Sequence, residues 1–175
     1  VRQRKSLKTQ INKEMNLLHA YVIQAFPEYY RIFKKINSKA SMEVLNRYAS
    51  LSEFKRVRLE TLKELIRKSS QGRHGIREAQ MLKELNSSSI GIDSSALSFS
   101  IKQTIKRILM IKEQICDIER EITHHVDESH TTLLSVPGVG YTTGAIILAE
   151  IGDIHRFKTD DQLLAYAGLD PSVYQ

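Results

Sequence analysis

Pro137-Gly138-Val139-Gly140-Tyr141-Thr142-Thr143 is the stretch of this 175-residue chain whose residue types and spacing point most directly to chemistry. Two glycines two apart permit a tight hairpin, because a residue without Cβ adopts left-handed backbone at little cost. If a helix starts at Tyr141, its first N–H groups have no intrahelical acceptor, and the helix dipole adds positive potential at the same place. Gly138, Gly140, Tyr141, Thr142 and Thr143 are therefore the candidate phosphate contacts of a helix-hairpin-helix. The competing reading is a plain interhelix turn. Glu150, Asp153, Asp160 and Asp161 nearby oppose an anion, whereas Arg156 and Lys158 favour one. Nucleoside-triphosphate and dinucleotide binding are set aside, since neither Gly-Lys-Ser/Thr nor a third glycine follows.

No other cluster reads as catalytic. His124, His125, Asp127, Glu128 and His130 are the densest set of metal-ligand types, yet HExxH is absent and no Cys lies beside them, so a solvated helix end is expected and no metal site. The single Cys116 excludes an intrachain disulfide and CxxC zinc chemistry. No Ser-His-Asp constellation is evident, and no catalytic residue is assigned.

A second binding candidate comes from charge. Residues 1–92 carry 19 Lys/Arg against 8 Asp/Glu, whereas residues 93–175 carry 7 against 12. Polyanion contact is thus expected in the first half. Arg2, Arg4, Lys5 and Lys8 head the candidates, and Arg31, Lys34, Lys35, Lys39, Lys55, Arg56 and Arg58 extend them. Tyr21, Tyr29, Tyr30 and Phe33 interleave with these cations and could stack on bases, or else serve as core and edge aromatics.

The elements that must position these groups are helical. Leu7, Ile11, Met15, Leu18, Val22 and Phe26 form one stripe of a long helix that Pro27 ends. Short helices are predicted over 28–36, over 42–48 capped by Ser41, from Ser52 through Leu59, Leu62, Leu65 and Ile66 to a stop at Gln71-Gly72, and over 76–85. Ser87 to Gly91 reads as a linker. From Ser94 to Glu128 neither Gly nor Pro occurs, and Ile101, Ile108, Ile115 and Ile122 stand seven apart, with Leu97, Ile111 and Ile118 on the alternate line. A seven-residue repeat keeps a seam facing a partner helix, either the first helix of the same chain or a second subunit. Ile101, Ile108, Ile111, Ile115, Ile118 and Ile122 are the candidate oligomerisation residues. After His130 the pattern predicts a short apolar helix, the glycine hairpin, a helix ended by Gly152, and a last helix capped by Thr159.

Composition limits the alternatives. Trp is absent, aromatics are 7%, and Gly and Pro number 8 and 3, which argues against a many-stranded β sandwich. No apolar run approaches the roughly 20 residues of a membrane span, and the basic start lacks a signal-peptide h-region, so a soluble intracellular protein is expected. Val1 and Gln175 do not read as natural termini, and the chain is taken as an excerpt of a longer one.

From Leu133 onward the residues resemble a known group. Leu133-Leu134-Ser135-Val136-Pro137-Gly138-Val139-Gly140, Ala149-Glu150-Ile151-Gly152-Asp153-Ile154, Arg156-Phe157 and Leu164-Ala165-Tyr166-Ala167-Gly168-Leu169-Asp170-Pro171-Ser172 are similar, almost continuously, to the bacterial insertion-sequence one-ten family of transposases. The resemblance implies a RuvC-like nuclease domain before Val1 bearing four acidic ligands for divalent metal such as Mg, a helical coiled-coil region, and a transposase domain. The nucleophilic Ser of that domain is expected a few residues beyond Gln175, and Ser172 belongs to its lead-in. It further implies DNA, a structured guide RNA and further copies of the chain as partners, and a bacterial cytoplasmic, nucleoid-associated location.

The reading is an all-α chain: a long antiparallel coiled-coil hairpin with short packed helices over residues 1–130, basic in 1–92, then the first part of a transposase domain with a helix-hairpin-helix over 131–175. Its expected function is assembly and nucleic-acid binding within a transposase, with the excerpt itself inactive and free of cofactors. The alternative from another class is a structural coiled-coil adaptor without nucleic-acid contact. A DNA-repair helix-hairpin-helix module is disfavoured by the lack of a second Gly-x-Gly hairpin.

Overall fold

Apolar residues at helical spacing, with Gly and Pro only at the joints, produce an all-α structure. The computed structural model describes residues 1–169 and, among them, nine α-helices and no strand. Asp170, Pro171 and Ser172 of the family-like motif lie outside the described residues. The chain divides into two units, Arg2–Asp117 and a second from Ile118 onward, each described separately.

In the first unit, α1 (Arg2–Ala25) buries Leu18, Val22 and Ala25. Pro27 cannot continue it, and the chain turns through α2, which is only Tyr29–Ile32 rather than the predicted 28–36. Helix α3 (Lys39–Arg47) is capped by Ser38, whose Oγ accepts from Ser41 N at 3.3 Å. Ser41 is therefore not the cap. It lies buried inside the helix and its carbonyl accepts from the Tyr29 hydroxyl at 3.2 Å. The segment predicted as continuous from Ser52 is instead α4 (Leu51–Arg56) and α5 (Leu59–Ser69), separated at Val57-Arg58 in extended backbone.

A distant residue satisfies the carbonyls at that break. Lys83, on α6 (Ile76–Ser88), donates its Nζ to the carbonyls of Phe54, Lys55 and Val57 at 3.0, 2.6 and 2.7 Å. These are carbonyls that a continuing helix would have used internally, so the ammonium replaces one turn of helix with a charged C-cap. Its α5–α6 neighbours turn at Gln71 and Gly72, both at positive φ.

Residues 87–91 are not a plain linker. Helix α6 runs through Ser88. The Glu28 carboxylate then accepts from Ser89 Oγ at 2.6 Å and from Ile90 N at 3.1 Å. Gly91 lies directly against the Ala25–Phe26 backbone, where an added Cβ would fall 2.8 Å from Phe26 N and closer still to the Ala25 carbonyl. Ile92 N donates to Gln24 O at 2.9 Å. Farther along, Arg107 of α7 (Ser95–Glu128) donates to Glu14 at 3.0 Å. Two tie points running backward along α1 and forward along α7 mean that the helices are antiparallel within this unit.

Phe26, Tyr29 and Phe54 fill the centre, with Phe26 edge-on to Phe54 at 5.6 Å. Each such buried side chain contributes about 1.5–3 kcal/mol by leaving water. On α7 the fully buried residues are Ile101, Thr104, Ile105 and Ile108, and Ile111 is nearly so. Ile105 was not on either line of the seven-residue repeat. Its burial widens the seam into the broader stripe of a helix facing a globular core. Ile115 is only half-buried.

The second unit is small. The end of α7 buries Ile122 and Val126, a 3-10 turn covers Leu133–Ser135, and α8 (Tyr141–Ile151) and α9 (Asp160–Tyr166) follow. Gly152 at φ 65° ends α8, and Thr159 caps α9 by accepting from Gln162 N at 3.4 Å. The predicted apolar helix before the hairpin is just the 3-10 turn.

Candidate nucleic-acid interface

The hairpin before α8 is built by its Pro-Gly pair. Val139 N donates to Val136 O at 3.0 Å with Gly138 at φ 90°, a tight turn in which Pro137 presets one torsion and only glycine takes the next cheaply. Gly140 differs. It is extended (φ −93°, ψ 176°), serves as N-cap of α8 and has no side chain to satisfy the helix N–H groups. A Cβ at either glycine would meet nothing within 4 Å. The first turn of α8 at Tyr141 and Thr143 is exposed, with Thr142 half-buried.

The electrostatics at this hairpin are mixed. The Tyr141 phenol donates to the Asp127 carboxylate, and that hydrogen bond, with the adjacent negative charge, raises the phenol above its ordinary range. An acid therefore already stands beside the helix start. Arg156 is held differently, its guanidinium 4.6 Å from the centroids of both Phe157 and Tyr166, while Tyr166 donates to Glu150 O at 3.1 Å. Both distances lie within cation–π range.

On α1, Arg2, Lys5 and Lys8 are exposed and Arg4 is half-buried, while Arg4 and Lys8 are engaged with other groups of the chain. The first turn of α1 has no acidic residue.

The fold separates the aromatics that interleave with the basic residues. Tyr29 and Phe33 are buried, and burial pushes the Tyr29 phenol far up. Neither is presented for base stacking. Tyr30 is half-buried, its ring parallel to His19 and its hydroxyl 2.6 Å from His19 Nδ1. Of the seam residues, Ile101 and Ile108 belong to the core of the first unit, Ile111 and Ile122 are buried, and Ile115 and Ile118 are partly exposed.

Around the histidines, His124 Nε2 lies 3.4 Å from Glu128, and His125 lies 3.6 Å from Glu128 and 4.0 Å from Glu121, all exposed. Among the described residues no group of three His, Cys, Asp or Glu side chains converges as metal ligands, so the donors present do not fit the divalent ion that the resemblance implies for a nuclease centre.

Sequence reasoning missed Lys83, whose role depends on α4 and α6 meeting, and Arg77, which lines one basic hollow with the candidates Arg31, Lys34 and Lys35 from more than forty residues away. No local pattern could have joined them.

Comparison with known proteins adds a separate line of evidence. Residues 130–175 match the family model described as Transposase IS116/IS110/IS902 family. The chain is 41% identical over 61 residues to the transposase for insertion sequence element IS1111A of Coxiella burnetii, covering 34% of this chain and 17% of that protein. It is 36% identical over 64 residues to the transposase for insertion sequence element IS1328 of Yersinia enterocolitica, covering 35% and 19%. Against the insertion element IS110 uncharacterized 43.6 kDa protein of Streptomyces coelicolor it is 25% identical over 177 residues, covering 95% of this chain and 42% of that protein. The chain thus spans less than half the length of these relatives. No solved structure matches it.

Proposed function

Because residues 130–175 match the model of the IS116/IS110/IS902 transposase family, we propose that the chain is the assembly and nucleic-acid-binding portion of an insertion-sequence transposase acting in bacterial DNA transposition. The single observation that carries this reading is the family match across 130–175. The uneven charge supports the binding role, with 19 Lys/Arg against 8 Asp/Glu confined to residues 1–92.

On this reading the basic helical half holds phosphate of DNA and of a structured guide RNA. The hairpin at Gly138 and Gly140 presents the first N–H groups of α8 to a further phosphate. Ile115 and Ile118 are the seam residues left to face a second copy. Cutting and rejoining belong to groups outside this chain, including a divalent-metal nuclease centre. A metal would supply Lewis-acid stabilisation of the cleaved phosphodiester there. No step of that chemistry is assigned to the residues described above, and Mg with DNA should give no nicking by this chain alone.

The test is fluorescence anisotropy with a hairpin RNA and with duplex DNA at about 50 and 200 mM salt. It is run on the native chain and on a variant with Arg2, Arg4, Lys5 and Lys8 changed to Gln. Salt-sensitive binding supports the reading. An absence of binding to both probes overturns it in favour of a structural adaptor, whose apolar contacts would be insensitive to ionic strength.

A further inference from the structure

We infer that a continuous basic trough at the α2–α3 and α5–α6 end of the first unit is a binding track for a phosphodiester backbone. This deepens the proposed nucleic-acid function and rests on it, but locates the contact away from the start of α1.

The trough consists of three hollows that share walls. The first, about 550 Å³, lies between the α2–α3 segment and α6 and is lined by Arg31, Lys34, Lys35 and Arg77. The second, about 240 Å³, shares Ser38 and His74 with the first and adds Lys39 and Arg73. The third, about 480 Å³, shares Gln71 with the second and adds Arg67 and Lys68. All of these cations are exposed, and Lys34, Lys35, Lys39, Arg67, Lys68, Arg73 and Arg77 make no ion pair with another described residue.

The acids along this path are few and mostly committed. Glu78 accepts from Gly75 N at 2.8 Å and from His74 Nδ1 at 2.9 Å, closing the start of α6. Glu64 at the rim of the third hollow is the one other carboxylate among its lining residues. The eight cations therefore outnumber the two carboxylates, Glu64 and Glu78, that line the same hollows. Concave surfaces also focus potential more than flat ones, so anions accumulate there.

Two features make the ligand a chain of phosphates. The first is adjacency, because neighbouring hollows share lining residues and successive phosphates of one backbone can occupy them in turn. The second is direction. Beyond Arg31 the adjoining hollow is lined by Glu28 and Glu84, so the positive path has a defined end. Ser38, the N-cap of α3, stands where the first two hollows meet and adds a helix N-terminus to the same potential. Phosphodiesters of DNA and RNA share this chemistry, and the test separates them.

The experiment compares three proteins by anisotropy: the native chain, a track variant (Lys34→Gln, Lys35→Gln, Arg73→Gln, Arg77→Gln), and the α1 variant described above. Probes are duplex DNA of about 20 base pairs, single-stranded DNA and hairpin RNA, titrated from about 50 to 200 mM salt. Each phosphate contact contributes about 0.9 to the log–log salt slope on duplex and about 0.7 on single strands, so the track variant should lose about 3 to 4 in slope. Affinity would then fall about 10⁴-fold across that salt range for an eight-contact native track and about 10²-fold for the variant. The probe with the largest slope loss identifies the natural backbone. Circular dichroism with native helix content excludes unfolding, which the exposure of all four positions makes the expected control result. Native slope and affinity in the track variant, with loss in the α1 variant, overturns the track while leaving nucleic-acid binding intact. Absence of binding by the native chain overturns both. Binding of inorganic phosphate or heparin alone, with no nucleic-acid probe bound, also overturns the track.

Discussion

Replacing Gly91 by Ala tests the joint that fixes α7 against α1. The added Cβ would lie 2.8 Å from Phe26 N and closer to the Ala25 carbonyl, all backbone atoms with no side-chain freedom to yield. Relief requires the 89–92 segment to move outward. That movement breaks or lengthens Ile92 N→Gln24 O, now 2.9 Å, and the two bonds from Ser89 and Ile90 to Glu28. Overpacking of this kind costs about 1–3 kcal/mol. A lost neutral hydrogen bond adds about 0.5–1.5 kcal/mol. The smaller unfolded-state entropy of Ala offsets about 0.4–1 kcal/mol. The net expectation is a loss of about 2–3 kcal/mol, or a midpoint lower by about 4–12 °C for a chain of this size. Urea and thermal melts followed by circular dichroism at 222 nm measure it, with Gly140→Ala as a control at an unobstructed, extended position. An unchanged midpoint in Gly91→Ala would refute the backbone-contact reasoning.

Lys83→Met should destabilise by about 1.5–3 kcal/mol, since it removes a charge-assisted cap from three carbonyls, and a denaturation midpoint reads this directly. Gly138→Ala should cost about 1–2 kcal/mol because its φ is 90°. Gly144→Ala should do the reverse, adding about 0.5–1 kcal/mol, because its Cβ would meet Leu134 and Val126 at ordinary contact distances of 3.6 and 3.9 Å. Glu53 is partly desolvated, which raises its carboxyl, but the hydrogen bonds from Lys102, Ala49 N and Ser98 outweigh this and hold it below the ordinary range. Glu28 and Glu78 are lowered by comparable hydrogen bonds against the same desolvation. Such groups stabilise the fold above the unfolded carboxyl range, and that stability is lost as pH falls through their folded values. Stability should therefore hold from neutral pH to about 5 and decline below it, more shallowly in Glu53→Gln.

The parts of the fold readable from sequence are those set by local rules. Pro27 ends α1, the Gly-free stretch after Ser94 gives α7, and Gly152 stops α8. What sequence missed depends on contacts between distant segments. The apolar spacing through Leu59, Leu62 and Leu65 gives no sign of the break at Val57-Arg58, whose free carbonyls are capped by Lys83 from another helix. Ser38 and Ser41 are equivalent as caps by type, and the buried Tyr29 hydroxyl engages the second within α3. The strict seven-residue reading of α7 omitted Ile105, because a core-facing helix uses a wider stripe than a two-helix seam. The basic trough escaped for the same reason: residues 31–39 and 67–77 become neighbours only when α2, α3, α5 and α6 pack together.

The most direct measurement is lysine protection. The chain is acetylated briefly with and without bound hairpin RNA or duplex DNA, and each lysine is quantified by mass spectrometry. The account predicts selective protection of Lys34, Lys35, Lys39 and Lys68, accompanied by Lys5 and Lys8, with Lys106 and Lys112 reacting at the unbound rate. Equal protection of all lysines, or protection confined to residues after 93, would contradict a nucleic-acid surface on the basic helical half.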